Sequence, residues 1–125
     1  MPVLYTDSNS NYTTDDILES ADDELESREI EYGKPVKGGM LFITIGGSGT
    51  FEVQVKLGDG LDNYGPYHKL ADADGNTTLA VAAHNFDMAI QEFWGQGIKQ
   101  LMFKVVRLTG TGDVPITDAV FNHVY

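Results

Sequence analysis

Asp72-x-Asp74-x-Asn76 places three oxygen ligands at alternate positions, the way a calcium loop begins. A complete loop needs glycine at its sixth position and a closing carboxylate at its twelfth. Here Gly75 is fourth and Ala83 is twelfth, so the stretch reads as a turn between strands. His68, His84 and His123 are not at zinc-ligand spacing and read as surface or rim residues. Gly46-Gly47-Ser48-Gly49 lacks the lysine and the following helix of a phosphate loop, and reads as a hairpin turn. No Gly-x-Ser-x-Gly elbow occurs. The absence of cysteine removes disulfides, thiolate metal sites and cysteine nucleophiles together. The expectation is therefore no catalytic residue, no cofactor and no metal. Tyr64, Tyr67 and Trp94, with Phe93, are candidates for contact with a sugar or a partner, because flat apolar ring faces stack well. A lone tryptophan in a β domain is more often core.

The elements that must position these residues are strands. Phe51, Val53, Val55 and Leu57 alternate with Thr50, Glu52, Gln54 and Lys56, the period of a strand with one buried and one wet face. Gly58-Asp59-Gly60 stops it in a turn. Met40 to Ile45 is a continuous apolar run, and with Gly46–Gly49 it predicts a hairpin over residues 40–57. Tyr67–Leu70 reads as a short strand. Residues 79–94 fit both a strand and a helical stripe. Leu101, Phe103 and Val105 share one face of a further strand, Thr109–Asp113 reads as a turn, and 114–125 as a last strand that Pro115 confines to an edge or a start. Six or seven short strands predict a mainly β fold, an antiparallel β-sandwich of jelly-roll or immunoglobulin-like type.

Charge divides the chain. The net charge is −11, and residues 7–31 carry −9 of it, ten acids against Arg28. Residues 32–125 are nearly neutral once the two remaining negative charges are counted. A basic face for nucleic acid or anionic lipid is missing. The domain expectation is an acidic N-terminal arm and linker over 1–36 and a sandwich over 37–125. Thr14 can cap a short helix within 15–27 whose thin stripe is Ile17, Leu18, Ala21 and Leu25. Val3, Leu4, Tyr5, Ile17, Leu18 and Leu25 are the candidate residues with which such an arm docks on a neighbouring chain. The start shows no signal-peptide pattern, and no apolar run is long enough to cross a bilayer.

The order Phe51-Glu52-Val53-Gln54-Val55, Gly58-Asp59-Gly60, Gly65-Pro66-Tyr67-His68-Lys69-Leu70, Asp72 to Leu79 and then Phe103 to Gly112 resembles small β-sandwich structural proteins of tailed bacteriophages. Capsid decoration proteins and head or tail fibre modules are of this kind. In them a strand ending in an x-Asp-Gly turn precedes an aromatic strand, and a later Arg-Leu/Val-x-x-x-Gly strand leads into a final hairpin. The similarity spans about residues 40–124. It implies a non-enzymatic virion structural protein, a capsid decoration or head-associated protein or else a tail or neck component. The implied partners are the major capsid protein, other virion proteins and further copies of itself, with neither nucleic acid nor membrane bound directly. The implied location is the virion, reached from the host cytoplasm. The alternative is a carbohydrate-binding module using Tyr64, Tyr67 or Trp94.

Overall fold

A computed structural model of the chain describes residues 3–4 and 16–125. The fold is mainly β, with 57% of these residues in strands, and its antiparallel sheet is nearly closed into a barrel. The strands are β1 (Val3–Leu4), β2 (Asp16–Leu18), β3 (Glu24–Ser27), β4 (Ile30–Glu31), β5 (Gly38–Gly58), β6 (His68–Lys69), β7 (Leu79–Asp87), β8 (Gln100–Thr109) and β9 (Val114–Val124).

β5 organises the rest. Along one edge β9 pairs with its first half, Gly38–Ile45, and β8 with its second, Thr50–Gly58. Along the other edge β7 pairs with Met40–Ile45 and again with Thr50–Phe51, and β6 with Gln54–Val55. So β8 and β9 form one long path, antiparallel to β5 and interrupted only opposite its glycines. β2, β3 and β4 line the far side of that path, pairing with 114–116, 104–106 and 100–101. β1 adds to β3 in parallel.

The expected hairpin over 40–57 is instead a single 21-residue strand. Gly46–Gly49 are a bulge within it: three more residues on β5 than on β7 separate the Ile45 and Thr50 pairings. A bulge bends and twists a strand, and this one lets β5 contribute to both halves of the structure. One curled sheet therefore runs through both halves. Both halves of β5 aim the same residue parity inward. Leu41, Ile43, Ile45, Phe51, Val53 and Val55 are all buried, as are Leu101, Phe103 and Val105 on β8. The rings of Phe103 on β8 and Phe121 on β9 meet at 5.4 Å. In β9 a second bulge, with Asp118 at φ +53°, changes the inward set from Val114 and Ile116 to Ala119 and Phe121. Glu52, expected outward and wet, is covered; Lys69 reaches it at 2.9 Å and supplies the charge its burial requires.

The N-terminal expectation is corrected from Asp16 onward. The helix within 15–27 is absent, and β2 and β3 stand in its place. Glu24 and Glu26 face out while Leu25 and Ser27 face in, a period of two that the high acid content had masked. Leu18 and Leu25 are fully buried in the one hydrophobic core, joined by Ile30, Tyr32 and Val36. Ile17 is exposed. Residues 16–36 are thus part of the sheet that 37–125 completes. Val3 and Leu4 form β1, and Tyr5 and Thr14 lie outside the described residues.

The ambiguous stretch resolves as β7 followed by a single 3-10 turn, Met88–Ile90, capped by the Asp87 carboxylate accepting from the Ala89 N–H at 2.9 Å. Phe86 and Met88 are buried, but residues 80–83 are not, so the apparent helical stripe was never a core face.

Candidate functional site

The residues singled out for chemistry fall in separate places. Asp72 caps its own turn: one carboxylate oxygen accepts from the N–H groups of Asp74, at 3.0 Å, and Asn76, at 2.8 Å. That oxygen of Asp72, the first candidate calcium ligand, holds a turn. The histidines are scattered. His68 stacks on Phe93 with ring centroids 4.4 Å apart. His84 Nε2 lies 2.7 Å from the Ala80 carbonyl. His123 packs between Tyr32 and Tyr125.

Tyr64 and Tyr67 do come together, on the outer face of the sheet, without Trp94. Lys56 Nζ lies 4.5 Å from the Tyr64 ring centre and 5.4 Å from that of Tyr67, and Lys104 Nζ lies 4.0 Å from the latter. The hydroxyls donate to acids, Tyr64 to Glu29 at 2.7 Å and Tyr67 to Glu26 at 3.3 Å. These contacts are cation–π and charge-assisted bonds that tie neighbouring strands. Ammonium groups already cover the ring faces a sugar would use. Trp94 sits apart, partly buried against the core, its indole N–H donating to the Lys37 carbonyl at 3.1 Å.

Burial raises both tyrosine hydroxyls well above their ordinary value of 10.0, with Glu29 adding to the effect at Tyr64 and Glu26 at Tyr67. A raised folded-state value gives stability that is complete below the unfolded value and lost as pH rises above it. Stability should therefore begin to fall above about pH 10. A Tyr64→Phe, Tyr67→Phe double variant should lose less stability between neutral and strongly alkaline pH, read by urea midpoints. An unchanged alkaline slope would show that these hydroxyls are not the groups responsible.

One group of carboxylates went unnoticed in the sequence because its members lie on different elements. Oxygens of Glu29, Glu31 and Asp62, all exposed, lie within 4.8 Å of one another. The Tyr64 hydroxyl holds Glu29, and Gln100, fully buried, holds Glu31 and Asp62 from beneath. Its amide nitrogen donates to Glu31 at 3.0 Å and to Asp62 at 3.1 Å, and its oxygen accepts from the N–H groups of Gly60 and Asp62. Neutral donors therefore satisfy the acids. Chelating divalent ions should leave the melting temperature unchanged, and a calcium-dependent rise of several degrees would show that the trio is a structural cation site.

The remaining feature is an edge. Among the described residues β7 pairs with β5 alone, so its other edge carries unpaired main-chain groups. Ala80, Val81, Ala82, Ala83 and Asn85 are exposed. No Asp, Glu, Lys or Arg occurs from Gly75 to Phe86. Beside it on β5, Phe42 is paired with Asn85 and is 38% exposed. Proteins usually protect such an edge with lysine, proline or a bulge; β7 has neither of those residues. The uncharged run was legible in the sequence, but its exposure was not.

No known family model matches the chain, and neither a curated protein nor a solved structure shows significant similarity to it.

Proposed function

We propose that the protein is a non-enzymatic assembly protein that self-associates through β7. The observation that carries this reading is the edge of β7, unpaired among the described residues and without a charged side chain from Leu79 to Phe86, on a chain whose net charge is −11. Like charges oppose association over most of such a surface, and the run from Leu79 to Phe86 adds no charge of its own to that opposition. Antiparallel pairing with β7 of a second copy about a two-fold axis would match main-chain donors with acceptors. Within this reading the chain is a bacteriophage virion component of the capsid decoration or head-associated kind, with the major capsid protein and other virion proteins as further partners. That part rests on the resemblance over residues 40–124. It also treats the curled sheet as a jelly-roll or immunoglobulin-like sandwich whose two layers share β5.

Solution mass as a function of concentration tests the association. Mass should rise toward that of a dimer or larger oligomer, and a Val81→Lys, Ala83→Lys variant should stay monomeric with an unchanged melting profile, because both positions are exposed. A wild-type chain that remains monomeric at its highest soluble concentration, or a lysine variant that still associates, would refute the β7 interface.

A further inference from the structure

At one end of the barrel a cavity of about 670 Å³ opens between residues 34–37, the loop 95–97 and Tyr125. Its walls are tied together by main-chain bonds. The Val36 N–H donates to the Ile98 carbonyl at 2.8 Å and the Lys37 N–H to the Val124 carbonyl at 2.6 Å. The volume lies within the range of small-molecule sites, about 300–1,000 Å³, and far exceeds a bare inorganic anion.

The side chains lining this cavity differ in charge from most of the protein. Two lysines, Lys34 and Lys37, line it, and no carboxylate side chain does. Neither lysine is in an ion pair among the described residues, whose ion pairs are Lys69–Glu52 and Lys104–Glu24. Lys34 Nζ instead rests 4.6 Å from the centre of the ring of Tyr125, a residue that is 43% exposed. The facing loop is bare. A Cβ added at Gly95 would meet nothing within 4 Å and its backbone is not left-handed, so neither packing nor conformation requires glycine there. The N–H groups of Gly95, Gln96 and Gly97 donate to no acceptor among the described residues.

We infer that this pocket binds a small organic phosphomonoester, its dianion held by Lys34 and Lys37 and its apolar body laid against Pro35 and Val36. Lysine holds phosphate as a point charge, and bare main-chain amides complete such a site. The negative field of the remaining surface turns away extended polyanions such as nucleic acid, while a small ligand feels mainly the two nearby ammonium groups.

The single tryptophan reports on the site, since Trp94 is bonded to the Lys37 carbonyl. Phenyl phosphate titrated into the full chain at low salt should give a saturable change in tryptophan emission and shift the amide resonances of residues 95–97. A Lys34→Gln, Lys37→Gln variant should bind at least tenfold more weakly, and a Lys56→Gln control should bind like wild type. Phenol should not compete, and inorganic phosphate should compete more weakly than phenyl phosphate. The inference fails if neither emission nor amide resonances respond, or if the double variant binds as tightly as wild type. It also fails if phenol or inorganic phosphate binds as well as phenyl phosphate.

Discussion

A chain beginning at Lys37 is expected not to fold. The charge split and the glycines between 33 and 39 argue for the opposite, a dispensable acidic arm, and the structure reverses that argument. Truncation removes Leu18 and Leu25, both fully buried, together with Ile30, Tyr32 and Val36, which are nearly so. At roughly 2 kcal/mol for each such side chain the loss is on the order of 10 kcal/mol, as large as the whole stability of an ordinary domain. It also strips the outer edge of β8, where β3 and β4 supply the pairing partners of residues 104–106 and 100–101. The Ser27 hydroxyl, which accepts from the buried Phe103 N–H at 2.8 Å, goes with them. Leu25→Ala alone should cost about 2–5 kcal/mol, the range for opening a cavity in a packed core. Circular dichroism and urea unfolding of the truncated chain give the answer. Cooperative melting near the full-length midpoint would mean that β2 to β4 lie on the body without stabilising it.

The parts of this fold visible in the sequence were those with uninterrupted local periodicity. The alternation from Phe51 to Leu57 and from Leu101 to Val105 gave strands with the right residues inside, because a half-buried strand writes its burial directly into its composition. Glu24-Leu25-Glu26-Ser27 has the same period, but only one of its inward residues is apolar, so the acids dominated. Ser27 is inward because its hydroxyl serves a main-chain N–H, a role that leaves no mark in hydropathy. Gly46–Gly49 carried a strong turn signal, and a bulge in a continuous strand requires the same glycines as a hairpin. Only the long-range partner separates the two, and here the partner is more than 40 residues away in β8 and β9. The candidate sites follow the same rule. Tyr64 and Tyr67, close in sequence, share a face, whereas Trp94 does not join them. Glu31 and Asp62 converge through Gln100, which pairs with Glu31 across β4 and β8 and with Gly58 across β5 and β8, while Glu29 is brought in by the Tyr64 hydroxyl.

The second large effect is expected at the bend of the sheet. Gly49 and Gly110 face each other where β5 passes the β8–β9 connection, both on the left-handed side of backbone space, at φ +109° and +102°. A Cβ on Gly110 would lie 2.6 Å from the Ser48 carbonyl oxygen and 2.8 Å from the Gly49 Cα. A Cβ on Gly49 would press against the Thr109 carbonyl oxygen and lie 2.8 Å from its carbon. These neighbours are main chain and cannot swing aside as a side chain would. Gly112 and Gly75 are useful comparisons, with φ of +87° and +82° but nothing within 4 Å of an added Cβ. Alanine at either of those should cost only the conformational term, about 1–2 kcal/mol. Alanine at Gly49 or Gly110 adds a main-chain collision to that term and should cost at least about twice as much, in the range of overpacked cores. Because the two glycines share one contact, the double variant should cost less than the sum of the singles. Thermal and urea unfolding of the four single variants and the Gly49–Gly110 double variant separate the contributions. Equal losses at all four positions would mean that backbone conformation alone sets the cost. The bend would then not depend on two chains passing within van der Waals distance. A larger loss confined to Gly49 and Gly110 would tie the curl of the sheet, and the exposed position of β7 across β5, to that one crossing.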